Sequence, residues 1–129
     1  MLTCSRGAIV NNVSLAALAP VPLTPAYSIS KAAAFNLTQS LRVLLAAQGV
    51  RVHAVLTGPV DTEMTAALDI PKAAPESVAR AIFDAVDSGE EDIFPDPLSA
   101  SLANGWRNGV AKELERQNAA FVQPQPSAA

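Results

Sequence analysis

The chain has 129 residues, 50% hydrophobic and 16% charged, which is enough for one domain with a packed core and too apolar for disorder along its whole length. Nine Lys and Arg against twelve Asp and Glu leave a net charge of −3, which argues against a nucleic-acid partner. The single cysteine, Cys4, excludes an internal disulfide, and no apolar run reaches the ~18 residues of a membrane span, so neither a disulfide-stapled secreted fold nor a membrane-embedded one is expected.

The first segment, Gly7–Val13, is short, apolar and β-branched, and predicts a buried strand. Pro20, Pro22 and Pro25 then break the chain into a loop. A long helix is predicted from Pro25 to Gln48, with Thr24 as N-cap, Pro25 at its first position and Gly49 as its stop. Ile29, Ala33, Leu37, Leu41 and Leu44 form one apolar stripe, while Ala32, Phe35, Val43 and Ala46 lie on other faces. A helix apolar on several sides is expected to pack on a sheet with one face and on another helix or subunit with another.

Val50–Leu56 predicts a second buried strand, with His53 in its middle as a core residue. Two strands joined by a helix make a βαβ unit, hence a parallel sheet. A loop over Thr57–Ala74 leads to a helix over Pro75–Ser88 with Val78, Ile82 and Ala85/Val86 as its core stripe and Gly89 as its stop. Glu90, Glu91 and Asp92 read as a solvated turn, and Asp92–Phe94 as a short strand. Asp96 and Pro97 then open a last helix with Leu102, Trp106, Val110 and Leu114 on one face, Trp106 being read as core. Gly105 and Gly109 weaken that helix by up to about 1 kcal/mol each. Residues 123–129 are Gln, Pro, Ser and Ala and predict a disordered tail. Ala17-Leu18-Ala19 resembles a signal-peptidase site, but Asn11, Asn12 and Ser14 interrupt the apolar run before it, so the expected location is cytoplasmic.

Chemistry concentrates at the start of the long helix. Tyr27 and Lys31 are four apart and share a face. A free phenol is too weak an acid to serve as a base at neutral pH, and an adjacent ammonium favours its phenolate, so the pair makes a credible general acid/base. Ser14 follows the first strand, at the carboxyl edge where open parallel sheets bind ligands, and its hydroxyl can hydrogen-bond a carbonyl and the charge that develops on it. On spacing alone, a Tyr-x-x-x-Lys pair is more often a plain helix-surface contact. Asp61 and Glu63 read as acids on a solvated loop, and no metal site is expected.

Taken together, Gly7-x-Ile-Val-Asn-Asn-Val-Ser14, Tyr27-Ser-Ile-Ser-Lys31-Ala-Ala and Val50-Arg-Val-His-Ala-Val-Leu-Thr-Gly58-Pro-Val-Asp-Thr62 resemble the classical short-chain dehydrogenases/reductases, closely over residues 7–65. The resemblance implies an α/β fold, the C-terminal half of a doubly wound Rossmann-type parallel sheet. It implies a partial domain over residues 1–122 that lacks the Gly-rich N-terminal half, since none of the glycines at 7, 49, 58, 89, 105 and 109 forms a phosphate loop. A sheet cut there is expected to expose Val10 and Val13.

By resemblance, Tyr27 would be the acid/base, Lys31 would bind the nicotinamide ribose and assist Tyr27, and Ser14 would polarise the substrate carbonyl. Gly58, Val60 and Thr62 would lie against the nicotinamide, with Met64 and Leu68 on a substrate-side lid. The implied reaction is hydride transfer between NAD or NADP and a small carbonyl compound or secondary alcohol. The implied assembly is a homo-oligomer through helix 25–48. The sequence departs from the family at Thr57, where proline is usual, at His53, often asparagine, and at Val13, often serine or glycine. The competing expectation is a catalytically inactive truncated fragment that acts as a binding or oligomerisation module.

Overall fold

The computed structural model describes residues 6–61 and 63–122, without the side chain of Met64; Cys4 and the tail 123–129 lie outside the described residues. Three strands, β1 (Ala8–Asn12), β2 (Arg51–Val55) and β3 (Asp92–Ile93), form one parallel sheet in that order. Ala8 stands opposite Arg51 and Asn12 opposite Val55, while Ala54 and Val55 face Asp92 and Ile93. Helix α1 (Pro25–Ala46) joins β1 to β2, and α2 (Pro75–Asp87) joins β2 to β3. Helices α3 (Pro97–Arg107) and α4 (Val110–Ala119) follow.

Side chains alternate across β2, so the sheet has two covered faces. Ala54 and Leu56 pack with Val13, Phe35 of α1, Phe94 and Ala103 of α3. Val55 points the other way, to Ile93 and to Ala85, Ile82 and Val86 of α2. Helices on both sides of a parallel sheet make this the doubly wound, Rossmann-like arrangement expected from the sequence. Helices α1 and α2 stop where Gly49 and Gly89 turn the chain, at φ of 76° and 78°, a region open to glycine at little cost.

The faces of α1 differ from expectation. Ile29 is 69% exposed and Leu37 58% exposed, and Leu44 is exposed too, whereas Ser28, Phe35 and Thr38 are buried. The buried face tolerates hydroxyls because their hydrogen bonds close locally. Thr38 Oγ1 donates to the Ala34 carbonyl at 2.7 Å and accepts from Asn11 Nδ2 at 3.0 Å. The periodic apolar stripe therefore marks the uncovered side. Thr24 occupies the N-cap position but its side chain makes no capping bond. Val10 is exposed at the β1 edge, while Val13 is buried in the core beside Phe35.

The last predicted helix is two. Asn108 and Gly109 break it, with Gly109 extended at ψ 162°, and Val110 and Leu114 stand exposed rather than continuing the Trp106 face. Trp106 packs on Phe35 with ring centroids 5.5 Å apart, as a core residue should. Asp92 is buried, against the solvated turn expected of it. Its carboxylate binds Arg42 at 2.8 Å, Lys112 at 2.7 Å and Trp106 Nε1 at 2.8 Å, which ties α1, α3 and α4 to the end of the sheet. His53 is buried as expected, with Nδ1 against the Glu90 carbonyl.

Candidate functional site

The described residues singled out from the sequence lie just past the carboxyl ends of β1 and β2 and in the first turns of α1. Pairing between β1 and β2 runs on past the strands: Val13 N–H donates to the Val55 carbonyl at 2.8 Å and Leu15 N–H to the Thr57 carbonyl at 2.9 Å. Ser14 is held between these two bonds. Its Oγ accepts from Ala16 N–H at 3.1 Å and so caps the short turn Leu15–Ala17. Its hydroxyl proton has no acceptor among the described residues. The following loop is fastened to the start of α1, where Val21 N–H donates to Ser28 Oγ at 2.9 Å.

Proline at the first turn of α1 presets its dihedral angle and lacks the N–H that a helix start cannot satisfy. That turn carries Tyr27, 41% exposed. Lys31, one turn on, brings its ammonium 5.5 Å from the Tyr27 ring centroid. The Tyr27 hydroxyl and the Lys31 ammonium make no hydrogen bond or ion pair with any described residue. The structure thus brings Tyr27 and Lys31 together and leaves their polar atoms available at the edge where Ser14 is fixed.

On the β2 side, Gly58 N–H donates to Asp96 Oδ2 at 2.7 Å. A Cβ on Gly58 would stand 2.7 Å from Asp96 Oδ1 and 3.4 Å from Leu98 Cδ2, so only glycine fits without displacement. Val60 makes a parallel bridge with Ala73, through Ala73 N–H to the Pro59 carbonyl at 3.0 Å and Asp61 N–H to the Ala73 carbonyl at 2.9 Å. Thr65 Oγ1 donates to the Val60 carbonyl. Thr62 lies outside the described residues, and Leu68 is exposed.

Sequence reasoning placed Asp96 as the N-cap of α3, which it is, accepting from Ser99 N–H at 3.0 Å in a capping box. It missed the bond to Gly58, because 38 residues separate the partners and no local pattern marks the pair. Among the described residues no group of three or more His, Cys, Asp or Glu could hold a metal ion, and no helix is long and apolar enough to cross a membrane. A groove of about 620 Å³ lies elsewhere, between α1 and α4 beside Phe35 and Trp106. The one carboxylate in its lining, Glu115, is already paired with Arg42 and Lys112, so the groove offers no free acid or base.

Comparison with known proteins bears on the family and the fold. The family model described as short chain dehydrogenase matches residues 1–72. The 2-(R)-hydroxypropyl-CoM dehydrogenase of Xanthobacter autotrophicus is 41% identical over 81 residues, 62% of this chain and 32% of that protein. A short-chain dehydrogenase from Burkholderia cenocepacia, solved in complex with NADP, superposes with a TM-score of 0.76 at 31% identity, covering 95% of this chain and 51% of that one. A short-chain dehydrogenase from Sphingobium yanoikuyae, solved with NADPH, gives a TM-score of 0.72 at 27% identity, covering 99% of this chain and 50% of that one. The chain spans about a third of the length of the curated relative and about half of each of these solved chains. With a family model matched over more than half its length and an edge of the sheet built as described, the chain belongs to the short-chain dehydrogenase family.

Proposed function

We propose that these residues form the catalytic half of an NAD(P)-dependent oxidoreductase that interconverts a small carbonyl compound and its secondary alcohol. One observation carries the reading: the Lys31 ammonium stands 5.5 Å from the Tyr27 ring in the helix that follows β1, neither polar group is spent on a described residue, and Ser14 is fixed by the backbone bonds of its neighbours past the carboxyl end of the same strand. The donor set fits a nicotinamide nucleotide, because an ammonium whose N–H groups are not bonded to any described residue suits the vicinal hydroxyls of a ribose. Lys31 and Tyr27 would hold that ribose, and the turn Gly58–Val60, with Thr62, would face the ring. When bound, the nucleotide supplies or accepts the hydride.

The chain's own residues handle the proton and the charge. In the direction of reduction, Ser14 Oγ–H donates to the carbonyl oxygen and orients it. Tyr27 O–H delivers its proton to that oxygen as the hydride reaches the carbon, and the product alcohol leaves Tyr27 as phenolate. The Lys31 ammonium favours the negative charge on the phenol oxygen. In oxidation the same proton returns. NADP is favoured over NAD only by the contents of the two solved relatives. Tyr27→Phe in the full-length protein removes only the hydroxyl of a half-exposed side chain. It is expected to cut turnover by at least ~100-fold with thermal stability unchanged, as loss of a general acid/base does. A variant that keeps the wild-type rate contradicts the assignment.

A second reading, a non-catalytic assembly module, draws on the uncovered apolar side of α1, where Ile29, Leu37 and Leu44 are exposed. We take this face as the contact of a homo-oligomer of the enzyme.

A further inference from the structure

We infer that Asp96 is a positioning residue for the nicotinamide-facing turn: its buried carboxylate holds Gly58 N–H and so fixes where Gly58–Asp61 meets the ring. This rests on the oxidoreductase reading above. Capping α3 requires only one carboxylate oxygen, and Oδ1 does that by accepting from Ser99 N–H at 3.0 Å. The second oxygen, Oδ2, accepts from Gly58 N–H at 2.7 Å and from Ser99 Oγ at 2.7 Å. Asp96 is buried and has no Lys or Arg partner among the described residues. Its acceptor capacity is directed at N–H and O–H groups alone, and one of these belongs to the turn.

The turn is held from both ends. Asp96 grips it at Gly58, and Ala73 grips Pro59 and Asp61 by backbone bonds. The absence of a Cβ at Gly58 lets the carboxylate come this close, and the backbone bond from Ser99 N–H to Oδ1 keeps Asp96 in place. The same edge carries Ser14, whose neighbour Leu15 bonds the Thr57 carbonyl one residue before Gly58. Asp96 thereby joins the end of β3 to the platform formed by the ends of β1 and β2.

Two variants of the full-length protein separate positioning from capping. Asp96→Asn keeps the size and one oxygen for Ser99 N–H, but turns an NH₂ group toward Gly58 N–H. Ser99→Ala removes the capping-box hydroxyl and leaves both carboxylate oxygens. The readouts are amide exchange at Gly58 in the nucleotide-free protein, NADPH affinity by nucleotide fluorescence, and the thermal midpoint. Asp96→Asn is expected to speed Gly58 exchange and weaken NADPH about tenfold each, the scale of a lost hydrogen bond to a charged group. Ser99→Ala is expected to lower the midpoint with NADPH affinity within about twofold. Should Asp96→Asn not fold, Gly58→Ala displaces the turn from the other side and is expected to weaken NADPH equally.

Unchanged Gly58 exchange in Asp96→Asn would overturn the inference. So would a loss of NADPH affinity that merely tracks the loss of midpoint in both variants. A wild-type protein that binds neither NADPH nor NADH brings down the oxidoreductase reading, and this role with it. A wild type that binds while Asp96→Asn binds equally well brings down the positioning role alone.

Discussion

Thr38 is fully buried in a helix face where the sequence shows no burial signal, and its hydroxyl bridges α1 to Asn11 of β1. Thr38→Val keeps the shape but leaves Asn11 Nδ2 without that acceptor. It is expected to cost about 1–3 kcal/mol in a denaturant titration. Ile29→Ser removes a larger apolar side chain from an exposed site and is expected to change monomer stability by less than about 0.5 kcal/mol. The contrast shows what a helical period conveys. It finds apolar stripes and does not say which one is covered. Tyr27, Lys31 and Ser14 could be singled out as candidates by residue type and spacing, while the roles proposed for them come from the family resemblance. The bond between Asp96 and Gly58 was not legible, since the two meet only through the order of β2 and β3 in the sheet.

At the scale of elements, the cluster around Asp92 decides how α4 sits. Burial pushes the Asp92 carboxyl up, but the Arg42 guanidinium and the hydrogen bonds from Lys112 and Trp106 outweigh it and hold it below its ordinary value. Burial pushes the Lys112 ammonium down, but its bonds to Asp92 and Glu115 outweigh that and raise it. A lowered carboxyl adds stability above its unfolded value of ~3.9, lost as pH falls through the folded one. A raised ammonium adds stability below its unfolded value of ~10.4, lost as pH rises through the folded one. The cluster is therefore expected to contribute constant stability between about pH 5 and 9, which urea midpoints across that range would check. Asp92→Ala leaves Arg42 and Lys112 partly unpaired and is expected to cost about 3 kcal/mol. Fluorescence of Trp106, the only tryptophan, would shift as its partner is lost. Helix α2 was legible to its core stripe of Val78, Ile82, Ala85 and Val86 because one face is apolar and the other charged. The break between α3 and α4 was not, because two glycines in a helical pattern read as a weakened helix as easily as a reversal.

At the scale of the whole molecule, three parallel strands and two covering helices follow from apolar runs, proline starts and glycine stops, all local signals. What covers the outer side of α1 is not local. In the homo-oligomer proposed above the exposed Ile29 and Leu37 would face a second copy, and the double variant Ile29→Glu/Leu37→Glu is then expected to shift the full-length protein to monomer in sedimentation. A wild type that already sediments as monomer would remove that contact. The family is settled by the match over residues 1–72, and the chemistry at Tyr27 is the central claim. It is tested most directly by isotope transfer. The full-length protein is incubated with NADPH or NADH carrying deuterium at the nicotinamide C4 and a panel of ketones and aldehydes. The account predicts deuterium on the carbinol carbon of an alcohol product in the wild type and at least ~100-fold less in Tyr27→Phe. No transfer from either nucleotide to any carbonyl, or equal transfer by the variant, would contradict it.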